Sequence, residues 1–93
     1  MLYKSKPITI DAFMFGVHEE PNWFKSATTL GLVRIYPNEE IVDNQQCTRY
    51  SALLIGSISS HIAYHGYFIF RDKFGELQTL SPVDFYSEYE EVQ

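Results

Sequence analysis

The order of apolar and polar residues changes along the first third of the chain. From Ile8 to Met14 the side chains alternate with a period of two, with Ile8, Ile10, Ala12 and Met14 on one face and Thr9, Asp11 and Phe13 on the other. This alternation is typical of a half-buried β-strand. Pro7 suits the start of that strand, because the first residue of a strand can lack an N–H group.

The segment VHEEPNWFKSATTLG has helical spacing instead. Its apolar residues fall at i, i+4 and i+7, the spacing of one helix face, at Trp23, Ala27 and Leu30. Pro21 suits the first turn of a helix, and Gly31 suits the position after its last residue. We therefore predict a helix over residues 21–30.

A strand pattern and a long polar segment follow. Leu32–Tyr36 has the composition of a strand, and the turn signal Pro37-Asn38 predicts its end. Residues 38–49 are polar apart from Ile41 and Val42, so they are predicted to be the longest loop. Such a loop is either a solvated connection or a contact loop, since binding residues concentrate on loops carried by a rigid scaffold.

The second half of the chain has the regular spacing of an antiparallel meander. Its strand patterns are Ala52–Ser57, His61–Tyr64, Tyr67–Arg71 and Glu76–Leu80. Ser81 then has the position of an N-cap, followed by Pro82, and predicts a brief helical turn. The final SEYEEV is predicted to be an edge strand or a frayed tail.

These elements together predict one α+β domain over residues 1–93. The expected architecture is a small twisted antiparallel β-sheet or a partly closed barrel, with one packed α-helix and a short C-terminal helical turn. Ninety-three residues suffice for a single core. Seven Phe, seven Tyr and one Trp supply the large side chains that can fill it without disulfides.

The charge and the cysteine content limit the classes of partner and the compartment that fit this chain. The formal net charge is −5, and the seven Lys and Arg are scattered. Phosphate binding needs clustered cations, so the sequence argues against direct nucleic-acid binding and favours a basic protein partner. Cys47 is the single cysteine, which excludes an internal disulfide and fits a reducing cytoplasm.

The lengths of the apolar stretches also argue against a membrane protein. No stretch approaches the roughly 18 apolar residues of a membrane span. The N-terminal MLYKSKPITIDAF is too polar for a signal peptide. We therefore expect no membrane partner and a cytoplasmic location.

His61 and His65 have the four-residue spacing of a zinc site, but this spacing brings two rings together only on a helix. On extended backbone the same spacing separates the side chains by roughly 13 Å. His18, beside Glu19 and Glu20, could supply a third ligand only through the fold. We expect no metal and no cofactor.

Catalytic patterns are weak as well. Ser57, Ser59 and Ser60 precede His61, but no nucleophile elbow accompanies them. Asp72 and Glu76 flank a predicted hairpin, where acidic residues serve as turn formers and solvent-facing strand positions. A domain of this size is also expected to offer little room for the roughly 300–1,000 Å³ of a typical ligand pocket. The chain is therefore predicted not to be an enzyme.

Three stretches of the chain resemble a large group of small proteins from tailed phages and prophages. KPITIDAF (Lys6–Phe13) is similar to the group's opening Lys-Pro-Val-x-Ile-Glu-Ala-Phe, and PNWF resembles its Pro-x-Trp-Phe. The stretch GYFIFRDKFGELQTLSPVDFYSEYE resembles the group's ending. The matching positions there are Gly66, Gly75, Glu76, Pro82, Phe85, Tyr89 and Glu90.

The chain departs from this group at two positions. Tyr67 stands where an Asp normally follows the glycine, and Leu80 stands where a Cys is usual. Roles tied to those two side chains do not carry over. The group has no established activity, so the resemblance implies an origin in a phage or prophage and not a reaction.

We therefore expect a phage accessory protein of the host cytoplasm, a non-enzymatic binder that antagonises a bacterial host protein. Anti-restriction, anti-CRISPR or host-takeover roles fit, because an acidic domain is drawn to a basic surface. Free sheet edges in so small a domain also favour a homodimer. The candidate contact residues are the acidic side chains Glu39, Glu40, Asp43, Glu88, Glu90 and Glu91.

Two other functions stay open. One is a structural or assembly component of the virion. The other is a small-ligand binder or metal-binding enzyme, which would have a concave pocket that gathers His18, His61 or His65 with carboxylates.

Overall fold

The computed structural model describes residues 2–4, 9–57 and 59–91. Pro7 and Ile8, at the predicted start of the first strand, lie outside these ranges. Within them the chain forms eight strands and two helices. In chain order they are β1 (Leu2–Lys4), β2 (Thr9–Met14), α1 (Asn22–Thr29), β3 (Val33–Val42), β4 (Gln45–Ile55), β5 (Ser60–Ala63), β6 (Phe68–Arg71), β7 (Leu77–Leu80), α2 (Pro82–Glu88) and β8 (Glu90–Glu91).

The strands form two antiparallel sheets, which confirms the predicted α+β class. The larger sheet has the order β7-β6-β2-β1-β8, and the smaller has the order β3-β4-β5. The strands of the predicted meander are therefore divided between two sheets. β4 pairs with β5 and β6 pairs with β7, but β6 lies beside β2.

The pair β2–β6 is at the centre of the core. In its register Phe13 lies opposite Ile69, and both side chains are buried against Phe24 and Val33 on one face. The residues next to them, Ala12 and Phe68 among others, point to the opposite face and are buried too. The predicted alternation of a half-buried strand is therefore wrong at Phe13, because this sheet is covered on both faces.

Helix α1 covers the first face. Pro21 is its N-cap and Leu30 its C-cap, in agreement with the predicted bounds. Phe24 and Ala27 are the buried positions. Leu30, which the spacing assigned to the buried face, is 75% exposed because the helix has ended there.

Helix α2 covers the second face. The Ser81 hydroxyl accepts a hydrogen bond from the Asp84 N–H (3.4 Å), which confirms the predicted cap. Phe85 is fully buried and stacks on Phe68, with 3.9 Å between ring centroids. The chain then enters β8, which pairs with β1 at one edge of the larger sheet. Of the predicted segment SEYEEV, Glu90 and Glu91 thus form an edge strand, whereas Ser87 and Glu88 belong to α2.

The predicted loop over residues 38–49 is wrong. β3 and β4 pair with each other along their whole length, from Val33 opposite Leu54 to Val42 opposite Gln45. A two-residue turn at Asp43 and Asn44 joins them, and these residues have φ values of 52° and 62°. Asn and Asp tolerate this left-handed conformation better than other non-glycine residues, so they can form the tight turn of a hairpin.

Pro37 does not end the strand as predicted. Its partner is Tyr50. Hydrogen-bonded and non-hydrogen-bonded pairs alternate in an antiparallel ladder, and the pair that closes a two-residue turn is hydrogen-bonded. Counting back from Val42 and Gln45, Pro37 belongs to a non-hydrogen-bonded pair. Its missing N–H therefore faces the open edge, where proline is tolerated.

A carboxylate links the two sheets. Glu76, just before β7, accepts hydrogen bonds from the N–H (3.2 Å) and the hydroxyl of Ser57, in the connection between β4 and β5. Gly56 packs closely here, because an added Cβ would clash with the Ser59 carbonyl. The smaller sheet is in this way held against the β7 side of the larger one.

Asp72 holds the turn between β6 and β7. Burial raises the pKa of its carboxyl, but hydrogen bonds from the Glu76 N–H, the Gln78 amide and the Phe74 N–H outweigh this, so that the pKa lies below its ordinary value. The nearby Lys73 charge acts in the same direction. The turn residue expected from the sequence is thus a hydrogen-bonded anion.

We predict that Phe85→Ala lowers the free energy of unfolding by about 3–5 kcal/mol, because it leaves a cavity against Phe68. Urea denaturation at neutral pH measures the change. Val83→Ala on the same helix is the control, since Val83 is 82% exposed and its truncation should change the free energy by less than about 0.5 kcal/mol. Equal effects of the two variants would contradict the packing described for α2.

We also predict that Asp72→Asn destabilises the protein at pH 7 and that the difference from wild type shrinks below about pH 4. Because the folded pKa is lowered, the contribution of the carboxylate is complete above the unfolded pKa of about 3.9 and is lost as the pH falls through the folded pKa. Urea unfolding of both proteins at pH 7 and near pH 2.5 measures this. A difference independent of pH would contradict the prediction.

Candidate functional site: the outer hairpin and the cleft at its base

Among the described residues, a long exposed feature is the part of the β3–β4 hairpin that leaves the core, residues 34–50, here called the outer hairpin. All its side chains are exposed apart from the half-buried Val42 and Cys47. Several large apolar side chains are among them: Ile35, Tyr36, Ile41 and Tyr50. The inner end is different, since Val33 and Leu54 are buried.

Three of the predicted contact residues lie on the outer hairpin. Glu39 accepts a hydrogen bond from the Gln46 amide, and Glu40 forms an ion pair with Arg49 (3.6 Å). Asp43 is in the turn at the tip. The acidic groups expected on a loop are therefore carried by a hydrogen-bonded ladder, which fixes their spacing.

The other three candidates lie elsewhere. Glu88 ends α2, and Glu90 and Glu91 form β8 at the edge of the larger sheet. Next to them, burial and then the Glu88 charge raise the pKa of Tyr89. The six acidic candidates thus divide into two groups, one on the outer hairpin and one at the end of α2 and in β8.

An open cleft of about 520 Å³ lies where the outer hairpin meets the body of the domain. We call it the hairpin cleft. The expectation of little room for a ligand is therefore wrong, because the hairpin projects past the loop after β2 and encloses space with it. Its lining residues are Phe15, Gly16, His18, Glu20, Ile35, Thr48, Arg49, Tyr50 and His65.

Backbone hydrogen bonds hold the inner wall of the hairpin cleft. The Phe15 N–H donates to the Tyr67 carbonyl, and the Gly66 N–H donates to the Phe15 carbonyl (both 2.8 Å). These bonds extend the β2–β6 pairing by one residue and bring the loop after β2 beside the loop before β6. Gly16 and His65 become neighbours in this way.

The hydrogen bonds of His18 define the tautomer of its neutral ring. Its Nδ1 accepts a hydrogen bond from the Met14 backbone N–H (3.1 Å), and the His18 backbone N–H donates to the Met14 carbonyl (2.9 Å). An accepting Nδ1 carries no proton, so the ring proton is on Nε2. The ring edge contacts Phe68, with 6.4 Å between centroids, which fixes its orientation.

The histidines that lie near each other in the structure are not the two that the sequence spacing brings to attention. His61 lies on β5, where its Nε2 is 3.4 Å from the Ser59 hydroxyl, and it does not line the hairpin cleft. His65 lies in the next turn and shares the cleft with His18 and Glu20. Among the described residues no group of three or more His, Cys, Asp and Glu side chains could hold a metal ion.

The sequence left open a pocket with His18, His61 or His65, but it did not indicate that His18 and His65, without His61, would line the same cleft. A signal was present in the glycines next to them, because Gly16 and Gly66 both adopt positive φ (81° and 88°). Such glycines mark sharp turns, and two turns at the same end of a paired strand place their flanking residues together. The register of β2 and β6 was needed to use this signal.

Comparison of the chain with protein-family models, curated proteins and solved structures finds no match. The interpretation of the site therefore rests on its own geometry. In the ranges that the structure describes, neither helix has the length or the apolar character that crossing a membrane would require.

We predict that Gly16→Ala lowers stability more than Gly75→Ala does. Both glycines have φ of +81°, so both variants incur the left-handed strain of about 1–2 kcal/mol. An added Cβ at Gly16 also clashes with the His65 ring, whereas nothing lies near Gly75. Urea denaturation of both variants measures the difference.

The double variant Gly16→Ala with His65→Ala is the control for this clash. Removal of the ring should reduce the cost of Gly16→Ala to that of Gly75→Ala. An unchanged cost would show that His65 does not pack on Gly16 in solution.

Proposed function

We propose that this chain is a non-enzymatic phage accessory protein that binds and antagonises a bacterial host protein in the host cytoplasm, and that the outer hairpin is its contact surface. The observation that carries the proposal is the exposure of apolar and acidic side chains together on this one rigid element. The proposed targets are restriction, CRISPR or transcription proteins of the host, because such proteins bind nucleic acid through basic surfaces.

The apolar side chains supply the affinity in this proposal. Ile41 is 80% exposed next to the tip, and Tyr36 and Tyr50 are about half exposed. Protein interfaces are enriched in aromatic residues of this kind, which bury large areas with few rotatable bonds. Exposed apolar side chains grouped on one element are typical of an interaction surface.

The acidic side chains determine how fast, and with which partner, the hairpin associates in this proposal. Glu39, Glu40 and Asp43 lie within the same stretch as Ile41, and the whole chain has a net charge of −5. Complementary charge raises association rates and selects among partners more than it raises affinity. The favoured partner is therefore a protein whose surface combines basic and apolar groups.

The phage origin rests on the resemblance of both ends of the chain to small phage and prophage proteins. The matching residues have scaffold roles. Phe85 packs from α2 into the core, and Glu76 joins the two sheets. The outer hairpin lies outside the matched segments, which is expected if the scaffold is shared and the target is specific to each protein.

The hairpin cleft favours a second candidate function, the binding of a small ligand. It gathers His18 and His65 with the Glu20 carboxylate, and its volume of about 520 Å³ lies within the usual range for ligands. We place this second because the cleft is open and its walls include the same hairpin residues, Ile35 and Tyr50, that the first proposal uses.

We predict that Ile41→Ser and Glu39→Lys each reduce capture of the host protein at least tenfold when the tagged chain is incubated with bacterial lysate. The bound protein is quantified by mass spectrometry. Salt at about 1 M should also reduce capture, because it screens charges beyond about 3 Å.

Two exposed positions away from the hairpin serve as matched controls. Phe74→Ser removes an apolar side chain that is 79% exposed, close to the 80% of Ile41. Asp84→Lys reverses an exposed charge on α2. A partner lost equally with Phe74→Ser and with Ile41→Ser, or a wild-type chain that captures nothing above the untagged background, would contradict the proposal.

A further inference from the structure

The hairpin cleft and the outer hairpin share a wall. Ile35, Thr48 and Tyr50 belong to the outer hairpin and line the cleft. On β3 and β4 these residues lie on the same sheet face as the buried Val33 and Ala52, by the alternation of side chains along a strand. A protein that covers this face of the hairpin therefore also covers the cleft.

The walls of the cleft combine an aromatic surface with one carboxylate. Tyr50 provides an exposed aromatic ring, the buried Phe15 also belongs to the lining, and Glu20 provides the charge. An arginine side chain matches this combination, because its planar guanidinium stacks on aromatic rings and binds carboxylates through two parallel hydrogen bonds. A lysine ammonium would use the charge but not the planar surface.

Arg49, a cation in the lining of the cleft, does not prevent the binding of a second cation there. Arg49 lies 3.6 Å from the Glu40 carboxylate, so its charge is compensated within the hairpin. Glu20 has no such ion pair among the described residues. A second depression beside the cleft shares His18 and Glu20 and adds Glu19 and Lys25, whose opposite charges offset each other, so Glu20 remains the carboxylate on which the match depends.

His18 supplies a hydrogen-bond donor to the cleft. Because its Nδ1 is occupied by the Met14 N–H, the donor left for a ligand is Nε2–H. A guanidinium has no acceptor for this donor, but the backbone carbonyl of a peptide has one. The chemistry of the cleft therefore fits an arginine within a polypeptide better than a free cation.

We infer that the hairpin cleft receives an arginine side chain of the protein partner, with Glu20 as its carboxylate partner and Tyr50 as its stacking surface. This inference rests on the proposed protein-binding function and names the chemical group that the partner presents. It assigns a specific role to residues at the base of the hairpin, whereas Ile41 and Glu39 act near the tip.

The test is a titration of the ¹⁵N-labelled chain with N-acetyl-L-arginine N-methylamide, followed by amide chemical shifts. We expect saturable shifts at Gly16, Glu20 and Tyr50. The corresponding citrulline compound has nearly the same shape without the charge and should bind at least fivefold more weakly. Phenol tests for a cleft that accepts any small aromatic molecule.

Two variants remove the proposed contacts separately. Glu20→Gln should weaken binding of the arginine compound at least fivefold, and Tyr50→Leu, which keeps an apolar side chain but loses the ring, should do the same. Asp84→Asn is the control for a general loss of negative charge and should leave binding unchanged. The amide spectrum of each variant establishes that it is folded.

The outcomes separate this inference from the proposed function. Shifts that are absent, that are equal for the citrulline compound, that survive Glu20→Gln, or that phenol reproduces would overturn the arginine assignment. Capture of the host protein that still depends on Ile41 would then leave the proposed function standing. Binding of the arginine compound without any captured protein would support the site and count against the host-protein proposal.

Discussion

The pairing of β2 with β6 is the interaction on which the other features depend. Because both faces of this pair are buried, it fixes α1 and the smaller sheet on one side and α2 on the other. Its extension at Phe15, Gly66 and Tyr67 also sets the inner wall of the hairpin cleft. A change of register by one residue would exchange the two faces and remove both cores.

The elements of this fold were predictable where local chemistry defined them. The cap at Ser81 and the helix after Pro21 follow from residues next to one another in the chain, and both are as predicted. The division into two sheets was not predictable in the same way. Phe68, Ile69 and Phe70 form a continuous apolar run, which periodicity cannot assign to a partner strand.

The outer hairpin was missed for a related physical reason. Alternation reveals a strand only when one of its faces is buried, and both faces of residues 34–50 are exposed. The polar character that indicated a loop is a consequence of this exposure. The Asp43-Asn44 turn was the available signal, but it is weaker than an Asn-Gly pair. The acidic residues of the hairpin were found by composition, whereas the cleft needed the register of strands distant in sequence.

Pro37 has a consequence for how the exposed hairpin behaves at high concentration. An edge strand of this length, with apolar side chains and free backbone groups, would ordinarily act as a template for fibril growth. Because the proline presents no donor to the open edge, a strand added there would lose a hydrogen bond in the middle of its ladder. The charges of Glu39 and Glu40 disfavour stacked copies further. The hairpin can therefore expose apolar side chains while its open edge disfavours the addition of further strands.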